Sequence, residues 1–182
     1  MALGDIPAVV DEVCALYLQV KAVEDVEALA RRVIEENAQA GRTVALAESC
    51  TGGLIAGALT EISGSSAVVD RGFVTYSNDA KMDLLGVDPV IIRAHGAVSE
   101  QTARAMAWGA LNHAPVDCAV AVTGVAGPGG GTADKPVGLV HFCGARHGMA
   151  IISEHHVFDG DRAAVRRATG VNALGIFLRL AG

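Results

Sequence analysis

Thr43-Val44-Ala45-Leu46-Ala47-Glu48-Ser49-Cys50-Thr51-Gly52-Gly53-Leu54-Ile55-Ala56-Gly57-Ala58-Leu59-Thr60 decides how this chain is read. The apolar run Thr43 to Leu46 has the length and composition of a short buried strand, and Leu54 to Thr60 those of a helix. The segment between them, Ala47 to Gly53, is therefore a strand-to-helix turn holding three hydroxyl or thiol side chains. Backbone N–H groups at a helix start are unpaired and favour negative charge. A nucleophile there can attack a carbonyl with donors for the resulting oxyanion close by. The plain alternative is a tight turn with a Ser or Thr helix cap.

Two further stretches bear on that choice. Gly72-Phe73-Val74 predicts a strand, followed by Thr75-Tyr76-Ser77-Asn78-Asp79-Ala80-Lys81 and a short helix from Lys81 to Leu85. Lysine occurs only at Lys21, Lys81 and Lys135, and tyrosine only at Tyr17 and Tyr76. A serine nucleophile needs a base, and a lysine neutralised by burial can serve in place of histidine. Against this stands the ordinary role of a lysine at a solvated helix start. The third stretch is Ala119-Val120-Ala121-Val122-Thr123-Gly124-Val125-Ala126-Gly127-Pro128-Gly129-Gly130-Gly131, an apolar run ending in a glycine-dense loop. Such a loop lets N–H groups approach a phosphate or an oxyanion, or is a plain surface loop. It lacks the Gly-Lys-Ser/Thr of a P-loop, and Thr132 occupies the third glycine position of a dinucleotide fingerprint.

Strand and helix signals alternate along the rest of the chain. Asp25 to Ala40 carries apolar residues at Val26, Leu29, Ala30, Val33 and Ile34 and ends at Gly41, as an amphipathic helix with a C-terminal glycine does. Ser99 is placed to cap a helix from Glu100 to about His113, and Asp117 to Val122 predicts a strand. Val137 to Ala145 and Met149 to Phe158 predict a hairpin across Arg146-His147-Gly148. Asp161 is placed to cap a last helix with Val165, Ala168, Val171, Leu174 and Leu178 inward. The expected fold is α/β, a single-domain three-layer α/β/α sandwich on a mixed sheet.

Composition narrows the function classes. The 182 residues suit one domain, and a hydrophobic content of 51% excludes a disordered chain. A formal charge of −6 and 4% aromatics argue against nucleic-acid binding, which rests on phosphate neutralisation and base stacking. Cys14, Cys50, Cys118 and Cys143 form no Cys-x-x-Cys pair and read as reduced thiols of a cytoplasmic protein. The six histidines lack metal-ligand spacing, so no metal and no cofactor is expected. Asp5, Asp11 and Glu12 interrupt the apolar start, so neither a signal peptide nor a membrane span is expected.

Seven ordered motifs resemble one family, the C-terminal domain of the competence/damage-inducible CinA proteins. They are Glu48-Ser49-Cys50-Thr51-Gly52-Gly53, Gly64-Ser65-Ser66, Val74-Thr75-Tyr76-Ser77-Asn78 with Lys81, Gly96-Ala97-Val98-Ser99, Thr123-Gly124-Val125-Ala126-Gly127-Pro128, Lys135-Pro136-Val137-Gly138 and Phe158-Asp159-Gly160-Asp161-Arg162. The resemblance runs from about Ala28 to the C-terminus. The chain is too short to hold the pyrophosphatase-like N-terminal domain of longer members. The implied organisation is an N-terminal helical extension over residues 1–23, with a stripe of Val9, Val13, Leu16 and Val20, and the family domain over residues 24–182.

Stand-alone members of this family include nicotinamide-nucleotide amidohydrolases. The resemblance therefore implies hydrolysis of the carboxamide of nicotinamide mononucleotide to nicotinic acid mononucleotide and ammonia. Ser49 is implied as nucleophile, with Lys81 as base, acting directly or through Tyr76. Cys50 is the local rival to Ser49. Oxyanion donors are expected near Thr51, Gly52 and Gly53, or at the turn of Thr123 and Gly124. Asn78, Gly127 and Arg162 complete the substrate-binding set, Arg162 and the Gly127–Gly131 loop facing the phosphate. The implied partners are a small-molecule nucleotide, neither nucleic acid nor membrane, and further copies of the chain in a homo-oligomer, dimer or higher. The alternative is a catalytically silent nucleotide-binding or regulatory module linked to competence or DNA damage.

Overall fold

The computed structural model describes residues 26–182. The expected N-terminal extension over residues 1–23 lies outside them, as does Cys14. The chain runs through helix α1 (26–39), β1 (Val44–Glu48), α2 (Leu54–Thr60), β2 (Val69–Val74), α3 (Asn78–Leu85) and α4 (Pro89–His95). It continues through α5 (Glu100–His113), β3 (Cys118–Gly124), β4 (Leu139–Arg146), β5 (Ile152–Val157) and α6 (Arg162–Ala181).

The sheet has the order β2-β1-β3-β4-β5. The first three strands are parallel, and β4 and β5 add antiparallel edges. The mixed sheet with helices on both faces agrees with the α/β expectation. β1 lies between β2 and β3 and is buried along its whole length, as a parallel strand covered on both faces must be.

Successive side chains of a strand point to opposite faces, and here the two faces differ in size. Val44, Leu46, Val120, Val122, Val140 and Phe142 pack against α1, α2 and α6. Ala45, Ala47, Ala119, Ala121, Cys143 and Ala145 face α5 and the end of α3. The small second face lets α5 sit close. At Gly109 of that helix, an added Cβ would lie 2.1 Å from the Leu85 carbonyl oxygen, so a larger residue is excluded.

The expected caps are in place. Ser99 Oγ accepts from Thr102 N and the Asp161 carboxylate accepts from Ala164 N. The hairpin pairs as expected, with β4 one residue and β5 four residues shorter than predicted. Two features differ from the sequence expectation. β2 begins at Val69, earlier than Gly72, because the parallel ladder to β1 starts there. Helix α4 was not anticipated, although Asp88 followed by Pro89 is a helix-start signal and Asp88 does accept from Val90 N.

Candidate active site

Strand alternation carries past the end of β1 and separates two neighbouring side chains. Glu48 continues the Val44–Leu46 face, towards α2, and Ser49 continues the Ala45–Ala47 face, towards α3. Glu48 is 1% exposed. Its carboxylate accepts from Gly53 N at 2.9 Å, Ile55 N at 3.2 Å and Ala56 N at 2.8 Å. These are the free donors at the start of α2, so the buried charge is met by the helix terminus. Of the expected donors here, Gly53 N–H is spent on Glu48 and Gly52 N–H on the Ser49 carbonyl, so neither is free for an oxyanion. Gly52 and Gly53 have φ of 60° and 97°, the left-handed region in which glycine turns the chain from strand to helix without steric penalty. Thr51 is buried in this turn, and its carbonyl accepts from Arg166 Nη2 at 2.7 Å.

Lys81 comes to the other side of the sheet on α3, whose start is capped by Ser77 Oγ accepting from Ala80 N. It is 1% exposed, against the ordinary expectation for a lysine. Its Nζ lies 3.1 Å from Ser49 Oγ, 2.7 Å from the Thr75 carbonyl oxygen and 3.4 Å from that of Ser77. Burial pushes its pKa from the usual lysine range down to about 8, with the Cys50 thiol a smaller opposing influence. A neutral amine has two N–H groups and one lone pair. As an ammonium, Nζ donates to Ser49 Oγ and to both carbonyls; on losing a proton it keeps two N–H groups for the carbonyls and turns its lone pair to the Ser49 hydroxyl.

Ser49, Cys50, Tyr76, Lys81, Ala97, Val98, Thr123, Gly124, Ala126 and Arg162 line a cleft of about 230 Å³. Its floor is the C-terminal rim of the three parallel strands, where α/β sheets hold their ligands. Val125 donates to the Leu139 carbonyl and accepts from Gly138 N, so Gly124, one residue earlier, directs its N–H to the opposite edge, towards β1. The β1–β3 ladder would next join Gly124 N–H to the Ser49 carbonyl, but that carbonyl accepts from Gly52. Of the two expected oxyanion sites, the Thr123–Gly124 turn is the one with a donor aimed beside Ser49. The Thr123 hydroxyl itself donates to the Ala97 carbonyl at 2.8 Å.

Three other expected residues fall differently. Tyr76 lines the cleft but is 61% exposed, and its hydroxyl accepts from Arg162 Nη2 at 2.9 Å rather than meeting Lys81. Arg162 also donates to the Gly127 carbonyl at 3.0 Å, tying the Tyr76 loop to the glycine loop. Asn78 opens α3 as an exposed residue outside the cleft lining. Gly127 lines a second, larger cleft of about 600 Å³ with Pro128, Val137, Gly160, Asp161 and Arg166; it shares Ala126 and Arg162 with the first. Sequence reasoning missed Arg166, although its spacing of four from Arg162 places both on one helical face. It also missed Glu48, which no periodicity marks.

Cys50 is 6% exposed and packs in the core beneath α2 and α6. Burial pushes its thiol up to about 11, so the helix terminus does not activate it. The geometry thus separates a buried, poised hydroxyl–amine pair from an inert neighbouring thiol.

The comparisons with known proteins match this arrangement to one lineage. The model of the CinA C-terminal domain matches residues 26–181. A nicotinamide-nucleotide amidohydrolase PncC of Enterobacter agglomerans is 53% identical over 139 residues, covering 76% of this chain and 85% of that protein. A CinA-like protein of Mycolicibacterium gilvum is 54% identical over 140 residues, 77% of this chain but 33% of that longer protein. Against such relatives the chain spans about a third of the length. Among solved structures, the competence/damage inducible protein CihA of Agrobacterium tumefaciens superposes with a TM-score of 0.85 at 54% identity, over 87% of this chain and 96% of that one. A CinA superfamily protein of Escherichia coli gives 0.81 at 34% identity, over 85% and 90%. With a family match that runs from the start of α1 to the end of α6, the chain belongs to the CinA C-terminal domain family.

Proposed function

We propose that this protein is an amidohydrolase that converts the carboxamide of nicotinamide mononucleotide to the carboxylate, with release of ammonia. The single observation that carries the reading is the buried Lys81 amine, 3.1 Å from Ser49 Oγ and held by two backbone carbonyls. An unpaired buried lysine destabilises a fold, so its presence beside a hydroxyl calls for a chemical reason. Relatives that match most of their own length bear the name nicotinamide-nucleotide amidohydrolase, which supplies the substrate class.

In this mechanism Lys81 takes the proton of Ser49 as Oγ attacks the carboxamide carbon. The C–O bond forms, and the carbonyl π electrons move to the oxygen, facing the Gly124 N–H. One such donor is typically worth about 3 kcal/mol in the transition state. Collapse breaks the C–N bond, and the protonated Lys81 gives its proton to the departing nitrogen, which leaves as ammonia. Water then attacks the acyl-Ser49 ester with Lys81 again as base, which releases the acid and restores the hydroxyl. Tyr76, held by Arg162, is a wall of the pyridine subsite in this scheme and not a proton carrier.

The test is ammonia release from nicotinamide mononucleotide by the purified protein beside its Ser49→Ala variant. The expected result is turnover by the parent and a loss of about 10⁴-fold or more in the variant. Equal release by both would refute Ser49 as nucleophile, and no release by the parent would refute the amidase reading.

A further inference from the structure

We infer that Arg166 reads the phosphate of the substrate and sets the preference for a nucleotide over the corresponding nucleoside. This rests on the amidohydrolase reading and deepens it. The first turn of α6 contains no acidic residue, yet Arg162 and Arg166 stand one turn apart beside it. Among the described residues neither arginine forms an ion pair, in a chain whose formal charge is −6. Both line the cleft of about 600 Å³, together with the Gly127 loop and Asp161. The Asp161 carboxylate is engaged in capping, accepting from Ala164 N at 2.7 Å.

The two arginines are not equivalent. Arg162 spends both terminal nitrogens on protein, Nη1 on the Gly127 carbonyl and Nη2 on the Tyr76 hydroxyl. Arg166 spends only Nη2, on the Thr51 carbonyl, so its Nη1 retains both hydrogens for an incoming oxygen. Thr51 is two residues from Ser49, at most about 7 Å of chain, and the guanidinium lies 2.7 Å beyond the Thr51 carbonyl. In the proposed pose the nucleotide lies with its carboxamide at Ser49 and its phosphate on this guanidinium. Gly52 borders the same guanidinium, an added Cβ lying 3.7 Å from Nη2.

The experiment compares nicotinamide mononucleotide with nicotinamide riboside in wild type, Arg166→Met and Arg166→Lys. Arg166→Met is expected to raise KM for the nucleotide by about 10- to 100-fold, the loss of one charge-assisted contact. Its effect on kcat/KM for the nucleoside is expected to be at least tenfold smaller, and Arg166→Lys is expected to recover part of the nucleotide KM. Inorganic phosphate is expected to inhibit wild type competitively and Arg166→Met far more weakly. Equal losses on both substrates, pointing to a purely structural bond to Thr51, would overturn the assignment, as would an unchanged nucleotide KM. If the wild type hydrolyses neither amide, the amidase reading fails by itself. Calorimetric binding of inorganic phosphate then still decides the role of Arg166, a titration unchanged in Arg166→Met counting against it.

Discussion

The Ser49–Lys81 pair and the Arg162–Arg166 face lie on two sides of one cleft system but are built on opposite principles. The pair is buried. Lys81 is 1% exposed and Ser49 is 8% exposed, and Lys81 Nζ is met by two backbone carbonyls and the Ser49 hydroxyl. The arginine face is open, its cleft more than twice as large, and one guanidinium keeps a free edge. Chemistry needs a base whose charge is suppressed, which only burial gives. Recognition of a phosphate needs a charge that stays on and can be reached. The same protein therefore pushes a lysine below its normal range in one cleft and keeps an exposed and a half-buried arginine in the other.

Breaking the buried side has the larger effect. Lys81→Met is expected to lower kcat by about 10³-fold or more, since a general base in contact with the nucleophile is removed. For the wild type, kcat/KM is expected to rise with pH to a plateau above pH about 8, where Lys81 is neutral. The same shift makes a stability claim. The folded-state pKa is about 8 against an ordinary 10.5, so between these values the unfolded chain binds more protons and stability increases with pH. The full span corresponds to about 3 kcal/mol, present above pH 10.5 and withheld below pH 8. Urea midpoints from pH 7.5 to 10.5 check it. They should climb in wild type relative to Lys81→Met, and parallel curves would show that Lys81 is not the buried cation described.

A smaller effect is expected at Glu48. Glu48→Gln places an amide N–H₂ against at least one of the α2 donors and should cost about 1–3 kcal/mol of stability. Because the same turn aims Ser49, kcat should drop by about tenfold with little change in KM. Thermal unfolding and steady-state rates on the folded protein separate the two consequences. An unchanged kcat would mean that Ser49 is aimed by Lys81 alone. Least affected should be Cys50→Ala, with kcat within about threefold of wild type, because a thiol near 11 is not a nucleophile at neutral pH. Carbamidomethylation by iodoacetamide at pH 8 should correspondingly be slow in the native protein. Rapid loss of activity by that route would reopen the case for the thiol.

What could be read from the sequence was whatever the local pattern determines. The Ser49 turn between a strand and a helix, the helix that carries Lys81, and the caps Ser99 and Asp161 follow from periodicity and residue type, and the structure has them. What could not be read depends on which face a side chain takes and on contacts far apart in the chain. Tyr76 and Arg162 meet across 86 positions, and no local rule pairs them. The fate of the α2 donors turned on the parity of Glu48 along β1, which diverts its carboxylate to that helix and Ser49 away from it. Arg166 was within reach, since its spacing from Arg162 is helical, but nothing local shows that Arg162 is already occupied.

The order β2-β1-β3 puts the ends of three parallel strands on one rim, and it also distributes the labour along the chain. The Ser49–Lys81 pair lies within residues 49–81, whereas the loop and helix start around the larger cleft lie within residues 126–166. In the proposed function the two tasks fall largely to separate stretches of chain, tied together by the Arg162–Tyr76 and Arg166–Thr51 hydrogen bonds. A homologous exchange of the second stretch would re-address the enzyme to an amide with a different anionic tail while the inherited warhead stays untouched.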